Sequence, residues 1–390
     1  MQDKKQSLVP ELRFPGFEGE WEMKKFGELC KTITPSLKLQ SSNYLKAGKY
    51  PIVDQSQSLI CGWTNDSKGL ISNVPVIIFG DHTCVLKYID FPFIQGADGV
   101  KILSPQSGYD SRFIYQSFLA NPVIQDGYKR HFSEFKEKTY MFPSLPEQQK
   151  IAECLSSVDN LIQAEADQLQ ALKDHKTGMM QQLFPQEGEI TPKLRFPGFE
   201  GEWEEKKFKD FTFSAGKKNK QNLPYERYSI SNETGFCPQN DQFEGGGGYL
   251  KDIDCRMYII VSPMSFAYNP ARINVGSIGY QNLGKDVIVS SLYEVFQTTD
   301  ICDDTFLWQW FKSNAFRKMV VDVQEGGVRQ YFYYNKLQEC SIHLPSLPEQ
   351  QKIAECLSSL DEGIAAQQEK VEALKEHKKG LMQKLFSTIN

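Results

Sequence analysis

Two stretches of this chain set basic side chains among aromatic ones. Residues 127–138 read GYKRHFSEFKEK, and residues 326–336 read GGVRQYFYYNK. Lysine and arginine neutralise phosphate, and they can reach base edges. Neighbouring arginine and glutamine can make paired contacts to guanine and adenine. The side chains expected to touch DNA are therefore Lys129, Arg130, Lys136 and Lys138 in the first stretch. In the second they are Arg329, Gln330, Tyr331 and Lys336. Two polar stretches rank below these: Asp54–Ser58 together with Asp81, His82 and Thr83, and Ser229–Asn232. The plain alternative is that the rings belong to the core and the charges to a solvated face.

Chemistry that makes or breaks bonds finds no matching constellation. No GxSxG, HExxH or carboxylate cluster is present, so no catalytic residue is expected. Gly245–Gly248 is a four-glycine run without the GK[ST] that follows in a phosphate loop, and it reads as a loop. Asn269-Pro270-Ala271-Arg272 is similar to the Asn-Pro-Pro-aromatic motif of amino-methyltransferases. It lacks the second proline and the ring, and reads as a turn. Nine cysteines are scattered without CxxC pairs, and five histidines do not join them at metal-ligand spacing. This predicts reduced thiols, a cytoplasmic location and no structural metal. No apolar run reaches transmembrane or signal-peptide length.

The elements that must position the basic stretches repeat. PSLPEQQKIAECLSS occurs at Pro143–Ser157 and again at Pro345–Ser359, and LRFPGFEGEWE at Leu12–Glu22 and Leu194–Glu204. Such internal repeats organise a chain before any other feature does. Each basic stretch lies just before one copy of PSLPEQQ. Between the frames the blocks differ, and the second is longer: the offset between frames grows from 182 to 202 residues.

After each PSLPEQQ the sequence turns helical. Pro146 and Pro348 suit the first helical position, and Glu147 and Glu349 the positive end of the helix dipole. Each helix can run 39 residues, Pro146–Phe184 and Pro348–Phe386, about 58 Å at 1.5 Å per residue. Apolar residues recur in a four-three rhythm, which marks a coiled-coil seam. In the first copy the seam holds Leu155, Val158, Ile162, Glu165, Leu169, Leu172 and Lys176. In the second it holds Leu357, Leu360, Ile364, Gln367, Val371, Leu374 and Lys378. Parallel pairing would set Lys176 against Lys378. Antiparallel pairing, with residue numbers across the seam summing to 543, sets Glu165 against Lys378 and Gln367 against Lys176. The antiparallel arrangement is expected. Two separate amphipathic helices are the alternative.

The blocks between frames read as mixed α/β domains. Strands are expected at Pro75–Gly80, Val85–Tyr88 and Gly99–Leu103, and at Met257–Val261, Ser265–Tyr268 and Val287–Ser291. Phe113–Gln116, Phe118 and Asn121 echo Phe306–Gln309, Phe311 and Asn314, which predicts a core-facing helix at the same place in both. The segments are then 1–142, a first α/β domain with its frame; 143–190, a long helix and linker; 191–344, a second α/β domain with its frame; and 345–390, a second long helix. The fold class is α+β. Net charge is −5 overall, but residues 23–142 carry 14 basic against 10 acidic side chains, residues 205–344 carry 16 against 16, and residues 143–190 carry 3 against 8. The first block is basic enough for a DNA face; the second must segregate its charges to make one.

In this arrangement the chain resembles the DNA specificity subunit of type I restriction–modification systems. The two LRFPGFEGEW openings, the two PSLPEQQKIA helix starts and the tails LKDHKTGMMQQLF (Leu172–Phe184) and LKEHKKGLMQKLF (Leu374–Phe386) carry the resemblance over the whole chain. The resemblance implies two target recognition domains, each reading half of a bipartite, asymmetric site in double-stranded DNA, separated by two antiparallel helices. It implies docking of two modification (methyltransferase) subunits, which use S-adenosylmethionine, and of a restriction and translocase subunit. It implies no cofactor and no catalytic site in this chain. Two half-sites one duplex turn apart lie about 34 Å from each other, a span suited to two domains on a long helix pair. Two other readings remain: a coiled-coil scaffold joining two α/β modules without a DNA role, and an enzyme whose site lies in the blocks between frames.

Overall fold

The computed structural model describes residues 9–186, 188–232, 235–239, 254–324 and 331–386. The chain divides into two compact units, Met1–Ala166 with Glu369–Asn390, and Asp167–Gln368. The division crosses the segment boundaries read from sequence, because each unit takes one half of each long helix.

The first unit begins with β1 (Glu22–Lys25), one helical turn α1 (Phe26–Leu29) and β2 (Cys30–Ile33). Then come β3 (Tyr50–Val53), β4 (Gly62–Thr64), β5 (Leu70–Ile71), β6 (Val76–Gly80), β7 (Leu86–Ile89), β8 (Phe93–Gln95) and β9 (Val100–Pro105). Helices α2 (Ser111–Ala120) and α3 (Phe132–Glu137), strand β10 (Thr139–Phe142) and the long α4 (Leu145–Leu183) complete it, with the end of α9 (Leu347–Leu385). The main sheet has the order β2-β9-β6-β7 and is antiparallel throughout. Every residue of β6 is buried, as an unbroken apolar run implies for a strand covered on both faces. Asp110 caps α2 by accepting from the Phe113 N–H at 2.8 Å. This helix drives Phe113, Ile114 and Phe118 into a core shared with Trp21, Phe79, Phe135, Ile151, Leu155, Leu385 and Phe386.

The second unit repeats the plan: β11 (Glu204–Lys207), α5 (Phe208–Phe211), β12 (Thr212–Ser214), β13 (Lys217–Lys218), β14 (Tyr228–Ser231), β15 (Gly235–Pro238) and β16 (Ile259–Val261). There follow β17 (Ser265–Tyr268), β18 (Ile278–Gln281), β19 (Val287–Val289), β20 (Glu294–Thr298), α6 (Asp304–Phe311), α7 (Asn314–Gln324), α8 (Tyr334–Glu339), β21 (Ser341–Leu344) and the start of α9. Its main sheet, β12-β20-β17-β18, is the β2-β9-β6-β7 sheet again. Asp303 caps α6 at the Phe306 N–H as Asp110 caps α2. The six expected strands and both core-facing helices are present, and both long helices run 39 residues. Helix α7 has no counterpart among the described residues of the first unit.

The duplicated frames fold onto themselves. Arg13 grips Glu147 through Nε at 2.8 Å and an Nη at 2.7 Å, and its remaining donors reach the carbonyls of Glu18 and Gly19. Arg195 does the same to Glu349, Glu200 and Gly201. Glu147 and Glu349 are buried, and each stands in the first turn of its long helix. Gln148 and Gln350 accept from the N–H of Asp110 and Asp303, and so tie each long helix to the cap of α2 or α6. The identical strings are thus an internal clasp between the opening loop, the helix start and the core helix.

Within the first unit Asp159 of α4 meets Lys378 of α9 at 2.6 Å, and Glu165 meets Lys370 at 2.7 Å. Numbers rise along α4 as they fall along α9, so the helices are antiparallel. In the second unit Lys176 meets Asp361 at 2.5 Å. The numbers of these paired residues sum to 537, 535 and 537 rather than 543, so the helices pair about one heptad away from the expected register, and Glu165–Lys378 and Gln367–Lys176 do not meet. In this register Lys378 and Lys176 stand close to Asp159 and Asp361, and each lysine stem lies along the apolar seam while its ammonium leaves sideways to the aspartate beside it. Glu165, Lys176, Gln367, Leu155, Leu357 and Val371 are buried; Val158, Ile162, Leu169, Leu172, Leu360, Ile364, Leu374 and Lys378 are partly covered.

Candidate nucleic-acid interface

In the first unit the loop between β6 and β7 forms one edge with the segment that leads into α3. Asp81 anchors it. Its buried carboxylate accepts from the N–H groups of His131 at 3.1 Å and Phe132 at 2.9 Å, and its carbonyl accepts from the His131 N–H at 2.9 Å. His131 is fully buried, with Nδ1 on the Asp81 carbonyl and Nε2 accepting from the Asp126 N–H. That pairing puts the ring proton on Nδ1. Outside this anchor, Tyr128 is 88% exposed and stacks flat on His82, with centroids 4.9 Å apart. His82 Nδ1 meets the Lys129 carbonyl.

A third loop joins the same edge. Gln55 accepts from the His82 N–H through Oε1 and from Thr83 Oγ1 through its carbonyl. Lys87, buried in β7, donates to the carbonyls of Asp54 at 2.8 Å and Ser58 at 2.6 Å, and holds both ends of the Asp54–Ser58 turn. Burial pushes the Lys87 ammonium below its ordinary pKa. Chain-distant residues Gln55, His82, Thr83, Tyr128 and Lys129 thus share one surface.

The basic residues named from sequence divide. Lys129 is exposed and pairs with Asp126 at 3.0 Å; such surface pairs contribute little and yield readily to a phosphate. Arg130 is exposed and makes no ion pair among the described residues. Lys136 is exposed and sits 5.4 Å from the Phe132 ring, which Lys101 also approaches at 5.4 Å. Lys138 differs. Its ammonium donates to the Asn121 carbonyl, Asn121 Oδ1 and the Pro122 carbonyl, which uses all three protons. Burial lowers its pKa. Lys138 is a loop clamp.

In the second unit Arg329, Gln330 and Gly245–Gly248 lie outside the described residues. Tyr331 and Tyr333 are about half exposed and stack at 5.5 Å, while Phe332 between them is fully buried. Lys336 lies in α8 and lines a groove of about 960 Å³ with Asn314, Lys318 and His343. The Ser229–Asn232 stretch ends beside the β17–β18 loop: Ser277 Oγ donates to the Ile230 carbonyl. Sequence reasoning treated that loop only as a turn. The signal that marks it is its place between β17 and β18, the counterparts of β6 and β7.

No group of three metal-binding side chains occurs among the described residues. No described helix is long and apolar enough to cross a membrane. What the two edges offer is exposed arginine, lysine, amide and aromatic groups on backbone held by hydrogen bonds between chain-distant segments.

A family model described as the type I restriction modification DNA specificity domain matches residues 18–174 and again residues 200–376. The chain belongs to that family, with two copies of its domain. Among curated proteins it is similar to the type I restriction enzyme MjaVIII specificity subunit of Methanocaldococcus jannaschii, 26% identical over 272 residues, 63% of this chain and 60% of that one. It is also similar to the EcoR124I/EcoR124II specificity subunit of Escherichia coli, 26% identical over 136 residues, 33% of each. The matches therefore span less than two thirds of these relatives. Among solved structures, the type I restriction–modification S subunit from M. genitalium superposes with a TM-score of 0.63 over 98% of this chain and all of that one, at 14% identity. A chain from a study of assembly and conformational transition of the type I system gives 0.52 over 96% and 98%, at 15% identity. At these identities the likeness is one of fold.

Proposed function

We propose that this chain is the DNA-sequence-recognition subunit of a type I restriction–modification complex, and that it carries no catalytic site. In this reading each unit's loop edge reads one half of a bipartite, asymmetric site in double-stranded DNA. The repeated frames dock two methyltransferase subunits, which bring S-adenosylmethionine, and the complex takes on a restriction subunit. One observation carries the reading: two sheets of the same strand order, on frames identical in sequence and bonding, bear different loops at the same edge. Shared frames suit repeated partners, and unlike edges suit an asymmetric target. A coiled-coil scaffold without a DNA role leaves the exposed Arg130 and the stacked His82–Tyr128 and Tyr331–Tyr333 pairs unexplained. The test is to map methylated adenines in cells with and without this chain. A two-part motif that disappears with the chain supports the proposal. Unchanged methylation, with no salt-dependent binding of duplex DNA by the chain and its methyltransferase, refutes it.

A further inference from the structure

The two units share more than strand order. In the first, the loop after β6 accepts the backbone N–H of His131, from the segment leading into α3, through the Asp81 carbonyl at 2.9 Å. In the second, the loop after β17 accepts the backbone N–H of Phe332, from the segment leading into α8, through the Pro270 carbonyl at 3.0 Å. The same backbone bond joins the same two loops. In the first unit the residues just past that anchor are His82 and Thr83; in the second they are Ala271 and Arg272.

Resting on the function proposed above, we infer that Arg272 is a specificity-determining residue of the second unit and contacts a base edge of its half-site. The turn that carries it is rigid. Asn269 Oδ1 accepts from the Ala271 N–H, and the Asn269 carbonyl from the Arg272 N–H at 2.9 Å. The Arg272 carbonyl accepts from the N–H groups of both Val275 and Ser277. Gly276, at φ +88°, closes the turn in a conformation that favours glycine. The residue is exposed, and its guanidinium has no ion pair among the described residues. Beside it, through Phe332, stands the stacked Tyr331–Tyr333 pair. A fixed backbone presenting an open guanidinium is what paired hydrogen bonds to guanine O6 and N7 require. Residues 205–344 are neutral in sum, so this unit needs placed cations rather than a broad field.

The experiment uses the assembled complex of this chain with its methyltransferase, on duplexes in which each base pair of either half-site is changed in turn. Arg272→Ala is expected to cut discrimination at one position of one half-site on the order of 10- to 100-fold, and to leave the other half-site untouched. Arg272→Lys is expected to restore the salt-dependent affinity and only part of the discrimination, since an ammonium can still donate to guanine but lacks the rigid planar fork. Unchanged discrimination by Arg272→Ala, or equal weakening on every sequence, overturns the assignment alone. Sequence-indifferent methylation by the unaltered complex overturns both the assignment and the function beneath it.

Discussion

Arg13 and Arg195 show what a single residue can hold. Each satisfies a buried glutamate in the first turn of a long helix, with two bonds of 2.7–2.8 Å. Removing the arginine strands that carboxylate. A fully buried pair would cost about 3–5 kcal/mol when broken; the arginines keep some solvent, so Arg13→Ala and Arg195→Ala should each cost ~2 kcal/mol or more, read as a lower midpoint in urea unfolding. The two losses should be alike, because the bonding is alike. The interface residues make a second contrast. Arg130→Ala should flatten the salt dependence of DNA binding, by a slope of about one if it meets a phosphate. Lys138→Ala should leave that slope unchanged and lower thermal stability, since its protons bind the 121–122 carbonyls. The sequence could not separate these two cations: both lie in one basic-aromatic run, and only the folded loop shows which has acceptors waiting. Asp81 was legible as polar but not as the anchor, for its partners lie 50 residues on.

At the scale of elements, the long helices were legible because a four-three apolar rhythm survives in any context that buries one stripe. Their direction was legible too, from like charges that parallel pairing would bring together. The register and its ion-pair partners were not, because an apolar rhythm that repeats every seven residues is nearly indifferent to a slip of one heptad, and the helices pair one heptad away from the expected register. Burial pushes the Asp361 carboxyl up, but Lys176, Gln309 and Lys312 more than offset this and hold it below its ordinary value. A lowered carboxylate contributes stability that is present above its unfolded pKa of about 3.9 and is lost as pH falls through the lower folded value. Lys176→Glu should therefore destabilise the protein at pH 7, and Asp361→Lys in the same chain should recover part of the loss. A double-mutant cycle should give a coupling of about 1 kcal/mol, limited by solvent at the half-exposed Asp361. The coupling should vanish below the folded pKa, which unfolding curves along an acid series would record.

For the whole molecule, the division into frames and inserts is the property that matters. Exchanging residues 205–344 for the matching block of a relative, with the Arg195–Glu349 clasp kept, should change one half of the methylated motif and leave the other half as it was. Sequencing of methylated adenines checks this, and a motif altered in both halves would contradict it. Sequence by itself determined the repeat, the α+β class, the long helices and the kinship with specificity subunits, because these rest on local periodicity and on strings that can be compared without coordinates. Tertiary structure alone decided that the frames clasp themselves, that Lys138 is a clamp, and that a turn at Asn269–Arg272 stands where Asp81–Thr83 stands in the other unit. Those facts depend on hydrogen bonds between segments far apart in the chain, and no local pattern of side chains records which carbonyl a distant N–H will find.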